Sequence, residues 1–337
     1  MIREYLKLAR SFNAVLTGIS PVMGAIAMGY FDLILLFLLF IIGFFGHTFG
    51  FVFNDIIDYK IDKSSKEISD RPLISGTISL RNAWIFAFIS IVISFGLAFY
   101  IAYVEQTYFP VLVLAVSAFF ITLYDLISKK LPFMDILVGL GIFFFILYGA
   151  SVKGTSLFDI SLLAWLVCIL GSIQVIFMQI VAGGLKDIKN DFEHGAKTAA
   201  VTLGVRVVDD NKFIVPLKFQ AIAYGIQFLD VSLIILSFYL VDSLQSSFLF
   251  NEFQWLLIGI IFVIMLLLSF RLMNLKTFER KKARTYIGSH YMINFALVPV
   301  MLMSINPWTG LLTFFPFIGF ILSNLILHGT VLQPKTM

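Results

Sequence analysis

Charged residues are scarce in this sequence: they make up 13% of its 337 residues, against about 25% in a soluble globular protein. Hydrophobic residues make up 60%, where a soluble protein has about 45–50%. A soluble fold is therefore excluded. The single cysteine, Cys168, excludes an intrachain disulfide, and the four dispersed histidines exclude a histidine-rich metal site. The net charge of +4 gives no reason to expect nucleic acid as a partner.

Long apolar runs fill most of the chain, and a bilayer core takes about 20 such residues per helical crossing. The ten runs are 12–30, 32–53, 83–104, 108–127, 133–151, 160–184, 213–240, 253–273, 287–304 and 308–328. The last two flank Asn306-Pro307 and form either two crossings or one long broken one. We therefore predict an all-α polytopic membrane bundle of nine or ten transmembrane helices, organised as a single integral-membrane domain over residues 1–337.

The basic residues predict the orientation, because Lys and Arg favour the cytoplasmic side in short loops. With the N-terminus inside, 22 of the 24 Lys and Arg fall in the N-terminal segment and the even-numbered loops, and Lys153 falls in an odd one. We therefore expect an integral protein of the cell membrane whose N-terminus is cytoplasmic, together with the loops that follow the second and sixth runs.

Acidic residues concentrate in those two loops. The first holds Asp55, Asp58, Asp62, Glu67 and Asp70, and the second holds Asp187, Asp191, Glu193, Asp209 and Asp210. If the helix before the first loop continues, its aspartates stand at i, i+3 and i+7, and Asp187 and Asp191 stand at i and i+4, spacings that share one helical face. Like charges on one face repel unless a cation joins them. Two acidic faces at corresponding helix ends predict one shared cation site.

The predicted cation is Mg²⁺, because carboxylate and amide oxygens without His or Cys partners suit a hard ion. Mg²⁺ usually keeps waters and is held by one or two carboxylates together with substrate phosphates, so a phosphorylated substrate is implied. A solvated helix end, with Lys60, Lys63 and Lys66 as surface partners, is the alternative for any single aspartate. The joint pattern of two spaced clusters favours the metal.

Five short motifs stand in order along residues 5–206. They are Arg10 and Asn13; Asn54, Asp55, Asp58 and Asp62 as NDxxDxxxD; Arg71-Pro72 with Gly76; Leu123-Tyr124 with Lys129 and Lys130; and Asp187 and Asp191 as DxxxD, followed by Gly195, Lys197 and Thr198. In this order and spacing the sequence resembles the UbiA family of intramembrane prenyltransferases. Over the C-terminal helices, 213–328, only the hydropathy agrees, with four apolar runs against the family's usual three.

The resemblance implies helices around a central cavity and Mg²⁺-dependent transfer of an isoprenyl group from its diphosphate to a lipophilic acceptor within the bilayer. It also implies roles for individual residues. Asn54, Asp58 and Asp62 would hold one Mg²⁺, and Asp187 and Asp191 another. Arg10, Asn13, Arg71, Lys129 and Lys186 are candidates for diphosphate contacts, and Asp55, Arg71, Lys129 and Tyr124 are candidate catalytic residues.

The acceptor is predicted from two segments, Tyr5 to Asn13 and Asp70 to Ser79. They look similar to archaeal members that geranylgeranylate geranylgeranylglyceryl phosphate in ether-lipid synthesis. Members that prenylate an aromatic quinone precursor are the alternative. From another class, a cation or phospholipid transporter would want its acids near the bilayer midplane, whereas these cluster at one face.

A few polar residues elsewhere are ambiguous. Asp230 lies within the seventh run, where an acid at membrane depth serves either structure or function. Gln174 and Gln179 either line the acceptor pocket or join helices. The basic run from Arg280 to Arg284 is expected to meet anionic lipid headgroups.

Overall fold

The computed structural model describes residues 1–63, 69–128, 130–193, 195–208, 211–244 and 248–332. These residues are helical apart from connecting loops and one short hairpin, which confirms the predicted all-α class. The helices are α1 Ile2–Leu8, α2 Ser11–Ala27, α3 Leu33–Ile57, α4 Tyr59–Asp62, α5 Leu80–Val104, α6 Phe109–Ile127, α7 Asp135–Ser151, α8 Leu162–Phe177, α9 Gly184–Glu193, α10 Ala199–Thr202, α11 Leu217–Leu240, α12 Phe248–Met273, α13 Arg280–Asn294, α14 Leu297–Leu302 and α15 Phe314–His328. Short 3-10 segments lie at Leu157–Asp159, Asp242–Leu244 and Pro307–Thr313.

Seven helical segments in the described part of the chain are long and apolar enough to cross a membrane, by length and composition. Two shorter apolar helices, Ser11–Ala27 and Asp135–Ser151, correspond to two further predicted runs. The remaining run, 287–304, is interrupted between Asn294 and Leu297. Pro299 accounts for the break, since it has no amide hydrogen to donate to the carbonyl four residues earlier. The C-terminal region therefore contains a broken segment rather than one further continuous helix.

The chain divides into two compact units. The first comprises residues 1–126, 141–168 and 314–337, and the second comprises residues 127–140 and 169–313.

In the first unit, α5 packs against α3 through small side chains. The buried positions of α5 include Ala83, Ala87, Ser90 and Ser94, and the hydroxyl of Ser94 donates to the carbonyl oxygen of Ile42 at 3.1 Å. Its large side chains face outward instead, as Phe88 does at 68% exposure. This reversal of the soluble pattern suits lipid, where small residues let helices approach closely and large apolar side chains meet the acyl chains.

A close helix contact in the first unit lies between α2 and α7. A methyl group on Gly149 would overlap the carbonyl oxygen of Pro21, and one on Gly24 would overlap the carbonyl oxygen of Ile146. Two glycines therefore face two backbones at the same crossing. No larger residue fits there without separating the helices.

The second unit contains the hairpin and most of the C-terminal helices. Strands β1, Arg206–Val208, and β2, Lys212–Ile214, pair antiparallel. Helix α12 packs against α13 and α14, and the buried amide of Gln254 donates to the carbonyl oxygen of Val300 at 2.9 Å. This bond adds a second donor to a backbone oxygen in the last turn of α14, which the amide of Met303 also binds at 3.2 Å.

A π-helical segment, Met178–Gly183, joins α8 to α9 in the second unit. Such segments widen the turn by one residue and are found frequently at functional sites. Asp187 and Asp191 follow directly on α9.

Candidate active site

The first acidic cluster lies where α3 ends. The amide of Asp58 donates to the carbonyl oxygen of Asn54, and that of Asp62 to the carbonyl oxygen of Asp58, each at 2.9 Å. The helical progression thus continues through α4, as the sequence spacing predicted. Asp55 and Asp62 are buried, at 5% exposure each, whereas Asn54 and Asp58 are half-buried. For Asp55 and Asp62, a solvated helix end is ruled out.

Two arginines bind these buried carboxylates. Arg10 donates to Asp55 at 2.6 Å, and Arg71 donates to Asp62 at 2.6 Å and lies 3.6 Å from Asp55. We refer to these four residues, in the order Arg10, Asp55, Arg71 and Asp62, as the arginine–aspartate chain. Asp55 and Asp62 meet the same guanidinium, which confirms that residues seven apart share a face here. Two of the cations that the acidic face requires are therefore guanidinium groups of the protein itself.

Local packing fixes both arginines. Arg10 occupies the break between α1 and α2 with a φ of 48°, and its guanidinium carbon lies 4.8 Å from the centroid of the Phe51 ring. Such a cation–π contact attracts the guanidinium to the ring and holds it beside an apolar helix. Arg71 opens a loop that is held down by Leu73 and Ile78, both buried in an apolar cluster with residues of α1, α3 and α5. Neither guanidinium is therefore a solvated loop charge.

Two other predicted site residues, Asn13 and Tyr124, lie on α2 and α6. Asn13 is buried on α2, and its amide oxygen finds no partner among the described residues. Tyr124 is half-buried near the end of α6. Lys129 lies outside the described residues.

Sequence reasoning missed Asp125, which follows Tyr124 directly. Its carboxylate is 6% exposed and accepts a hydrogen bond from the amide nitrogen of Asn54 at 3.0 Å. The available signal was an acid at the predicted cytoplasmic end of an apolar run. The structure adds its partner, 71 residues away along the chain.

The second acidic cluster lies on α9 in the other unit. Asp187 accepts from Arg280 at 2.8 Å and lies 3.2 Å from the ammonium of Lys186, while Asp191 is 7% exposed. The expectation that Arg280 meets lipid headgroups is therefore wrong, because its side chain is 13% exposed and bound to Asp187. In both acidic clusters an arginine thus forms an ion pair with an aspartate. Of these arginines, only Arg10 and Arg71 were predicted to lie near the acids.

Within the second unit, Asp230 belongs to a buried polar network. The amide nitrogen of Gln174 lies 3.3 and 3.2 Å from the two carboxylate oxygens of Asp230, which is 2% exposed. Asn294 donates to the backbone carbonyl of Gln174 at 3.1 Å. These bonds join α8, α11 and α13, so they favour the helix-joining interpretation of Gln174. Gln179 lies in the π-helical segment.

The oxygen donors at the two clusters determine which metal ion could bind there. No group of three His, Cys, Asp or Glu side chains arranged to hold a metal occurs in the part of the chain that the structure describes. At the first cluster Asn54 and Asp58 are half-buried residues whose side chains offer hard oxygen donors at the helix end. Such a set fits Mg²⁺, which takes few protein ligands when substrate phosphates and water complete its shell.

Apolar helices of membrane length, with acids at two helix ends and arginines bound to them, define a polytopic membrane protein with charged helix-end sites. The chain belongs to the UbiA prenyltransferase family, whose sequence profile matches residues 14–294. It is therefore a multi-pass integral membrane protein and a prenyltransferase. This confirms the resemblance inferred from the motifs and decides against the transporter.

Two curated relatives are similar to more than half of the chain. The digeranylgeranylglyceryl phosphate synthase of Methanobrevibacter smithii is 27% identical over 209 residues, which is 61% of this chain and 71% of that protein. The enzyme of the same name from Pyrococcus furiosus is 29% identical over 207 residues, 60% of this chain and 70% of that protein.

A solved structure shows the same fold. The UbiA homologue from Archaeoglobus fulgidus bound to GPP and Mg²⁺ superposes with a TM-score of 0.59 at 16% identity, covering 90% of this chain and 99% of that one. The helical bundle of this protein is thus the UbiA fold.

Proposed function

We propose that this prenyltransferase transfers a geranylgeranyl group from geranylgeranyl diphosphate to geranylgeranylglyceryl phosphate, with Mg²⁺. The observation that carries the acceptor assignment is the similarity to two digeranylgeranylglyceryl phosphate synthases over about 60% of the chain. Their shared name states the product that this reaction would form. The acidic helix ends supply the chemistry that a diphosphate donor requires.

Among the candidate ligands, Asn54, Asp58 and Asp62 of the first unit would hold one Mg²⁺, and Asp187 and Asp191 of the second unit would hold another. The donor types at the first cluster support this, since Asn54 and Asp58 are half-buried and offer an amide and a carboxylate oxygen at the end of α3. When bound, Mg²⁺ stabilises the negative charge that grows on the departing diphosphate.

The arginine–aspartate chain supports the assignment of the arginines to the diphosphate. Asp55 holds the guanidinium of Arg10, and Asp62 together with Asp55 holds that of Arg71, before any ligand arrives. Donors that are already oriented stabilise developing charge without the cost of reorganisation. We assign Arg10, Asn13, Arg71, Lys129 and Lys186 to the diphosphate.

The catalytic step follows from ordinary allylic chemistry. The bond between the allylic carbon and the diphosphate oxygen breaks, both electrons leave with the diphosphate, and a carbocation remains. The acceptor hydroxyl oxygen attacks this carbon and forms the ether bond, and its proton passes to the released diphosphate. Arg71, Lys129 and Tyr124 donate to the leaving oxygen, Asp55 orients Arg71, and the apolar helices keep water from the carbocation.

The assignment is tested with purified protein in nanodiscs, radiolabelled geranylgeranyl diphosphate and Mg²⁺. We expect label to transfer to geranylgeranylglyceryl phosphate, with activity lost on adding EDTA and in Asp58→Ala and Asp191→Ala. Asp70→Ala is the matched control, because Asp70 is an exposed acid one residue before Arg71. Transfer to 4-hydroxybenzoate alone would replace the proposed acceptor by an aromatic one. Absence of transfer to every acceptor would refute the function.

We also propose that the N-terminus and both acidic loops are cytoplasmic. Cys168 is buried, so single cysteines introduced elsewhere report their own accessibility. Thr77 and Lys153 are both exposed, and the basic-residue pattern predicts that they face opposite sides. In whole cells an impermeant maleimide should label Lys153→Cys and spare Thr77→Cys. The opposite labelling would reverse the orientation.

A further inference from the structure

Asp125 is a buried acid that neither the metal motifs nor the diphosphate contacts include. It lies near the end of α6, and its Oδ1 accepts from the Asn54 amide at 3.0 Å. Its Oδ2 has no hydrogen-bond partner among the described residues. The charges that act on it are those of Arg10, Asp55 and Asp58. A carboxylate is costly to bury beside other acids, so a specific gain should offset that cost.

The gain lies in the direction of the Asn54 side chain. A side-chain amide has one end that donates, Nδ2, and one that accepts, Oδ1. Asn54 donates from Nδ2 to Oδ1 of Asp125 at 3.0 Å, so the Oδ1 of Asn54 lies on the opposite side of the amide. Asn54 is half-buried near the end of α3, four residues before the half-buried Asp58. Without Asp125 the amide could rotate and turn its NH₂ group to the side that the oxygen now takes.

We propose that Asp125 is a positioning residue that fixes the Asn54 amide with its oxygen directed toward Mg²⁺. This inference rests on the proposed function, in which Asn54 is a metal ligand. Partners outside the metal's own shell commonly orient ligands in this way, and losing one typically costs about 10- to 100-fold in metal affinity or activity. Asp125 touches neither substrate nor metal in this arrangement and acts through Asn54.

The test measures Mn²⁺ binding by electron paramagnetic resonance, with Mn²⁺ as the probe and the full chain in nanodiscs. Asp125→Ala should weaken Mn²⁺ binding by about 10- to 100-fold. Asn54→Ala should weaken it by at least as much, and the double variant should be no weaker than Asn54→Ala. Ser117→Ala is the control, because Ser117 lies two turns earlier on α6 and bonds the Gly141 carbonyl at 2.7 Å. It should leave Mn²⁺ binding unchanged.

Two results would overturn the proposal. Unchanged Mn²⁺ affinity in Asp125→Ala would show that Asp125 has no role in metal binding. Losses that multiply in the double variant would make Asp125 a ligand in its own right. Asp125→Asn adds a second check that preserves shape, since its amide oxygen can still accept from Asn54. It should lose less affinity than Asp125→Ala, and an equal loss would assign the effect to charge rather than to position.

A kinetic measurement separates positioning from misfolding. In Asp125→Ala the Mg²⁺ concentration for half-maximal activity should rise, while kcat at saturating Mg²⁺ returns close to that of the unaltered protein. A fall in kcat that added Mg²⁺ does not restore would contradict the proposal. If the unaltered protein binds no Mn²⁺, both this inference and the proposed function fail. If the unaltered protein binds Mn²⁺ and Asp125→Ala binds it equally, this inference fails alone.

Discussion

Removing Arg71 should destabilise the protein more than removing its partner Asp62. Arg71 lies 2.6 Å from Asp62 and 3.6 Å from Asp55. At an effective dielectric constant of about 20, these distances correspond to gross attractions of about 6 and about 5 kcal/mol. Desolvation offsets much of this, because the side chains of Arg71 and Asp62 are 9% and 7% exposed.

The expected net effects follow from what each substitution leaves behind. Arg71→Ala leaves two buried carboxylates without their shared guanidinium, so we expect it to lower the free energy of unfolding by about 3–5 kcal/mol. Asp62→Ala leaves Arg71 beside Asp55 and should cost less. The double variant should cost little more than Arg71→Ala alone, which makes the coupling between the two residues strong.

A double-mutant cycle measures this coupling by reversible SDS unfolding in mixed micelles. The control cycle uses Lys153 and Glu105, which lie 3.5 Å apart with side chains 40% and 27% exposed. This exposed pair should couple by less than about 1 kcal/mol. A similarly small coupling between Arg71 and Asp62 would refute the conclusion that the arginine–aspartate chain consists of buried ion pairs that stabilise the fold.

Two further predictions concern helix packing. Gly149→Ala should destabilise the first unit by about 1–3 kcal/mol, because its new methyl group would overlap the Pro21 carbonyl. Gly96→Ala, with nothing within 4 Å, should be neutral or stabilise by up to about 1 kcal/mol, and the reverse order in SDS unfolding would contradict the described crossing. A double-mutant cycle on Gln174 and Asp230 should give a coupling of about 0.6–2 kcal/mol in the same assay; a coupling near zero would show that their hydrogen bond joins no helices.

The apolar runs predicted the helices well, because crossing a bilayer fixes both their length and their composition. The spacing of Asp55 and Asp62 likewise predicted a shared face, since it depends only on helix periodicity. The interruption after Asn294 was not predicted, although Pro299 carries the signal. Hydropathy averages over a window and so passes over the loss of one backbone hydrogen bond.

Partners distant along the chain escaped prediction for a different reason. Arg280 meets Asp187 across 93 residues, and Asp125 meets Asn54 across 71. Nothing in the local pattern distinguishes Arg280 from the neighbouring lysines of its basic run. Only the packing of helices decides which basic residue faces the acid and which faces the headgroups.

The π-helical segment Met178–Gly183 has a consequence for comparing this protein with others. It accommodates one more residue than an α-helix of the same span, and one residue turns a helix by about 100°. Deleting a single residue there would rotate Asp187 and Asp191 by about that angle relative to Gln174, away from Arg280. A homologous chain that lacks the extra residue should therefore be one residue shorter in this segment. Its alignment with this protein needs a one-residue gap there, because otherwise residues that point in different directions are paired.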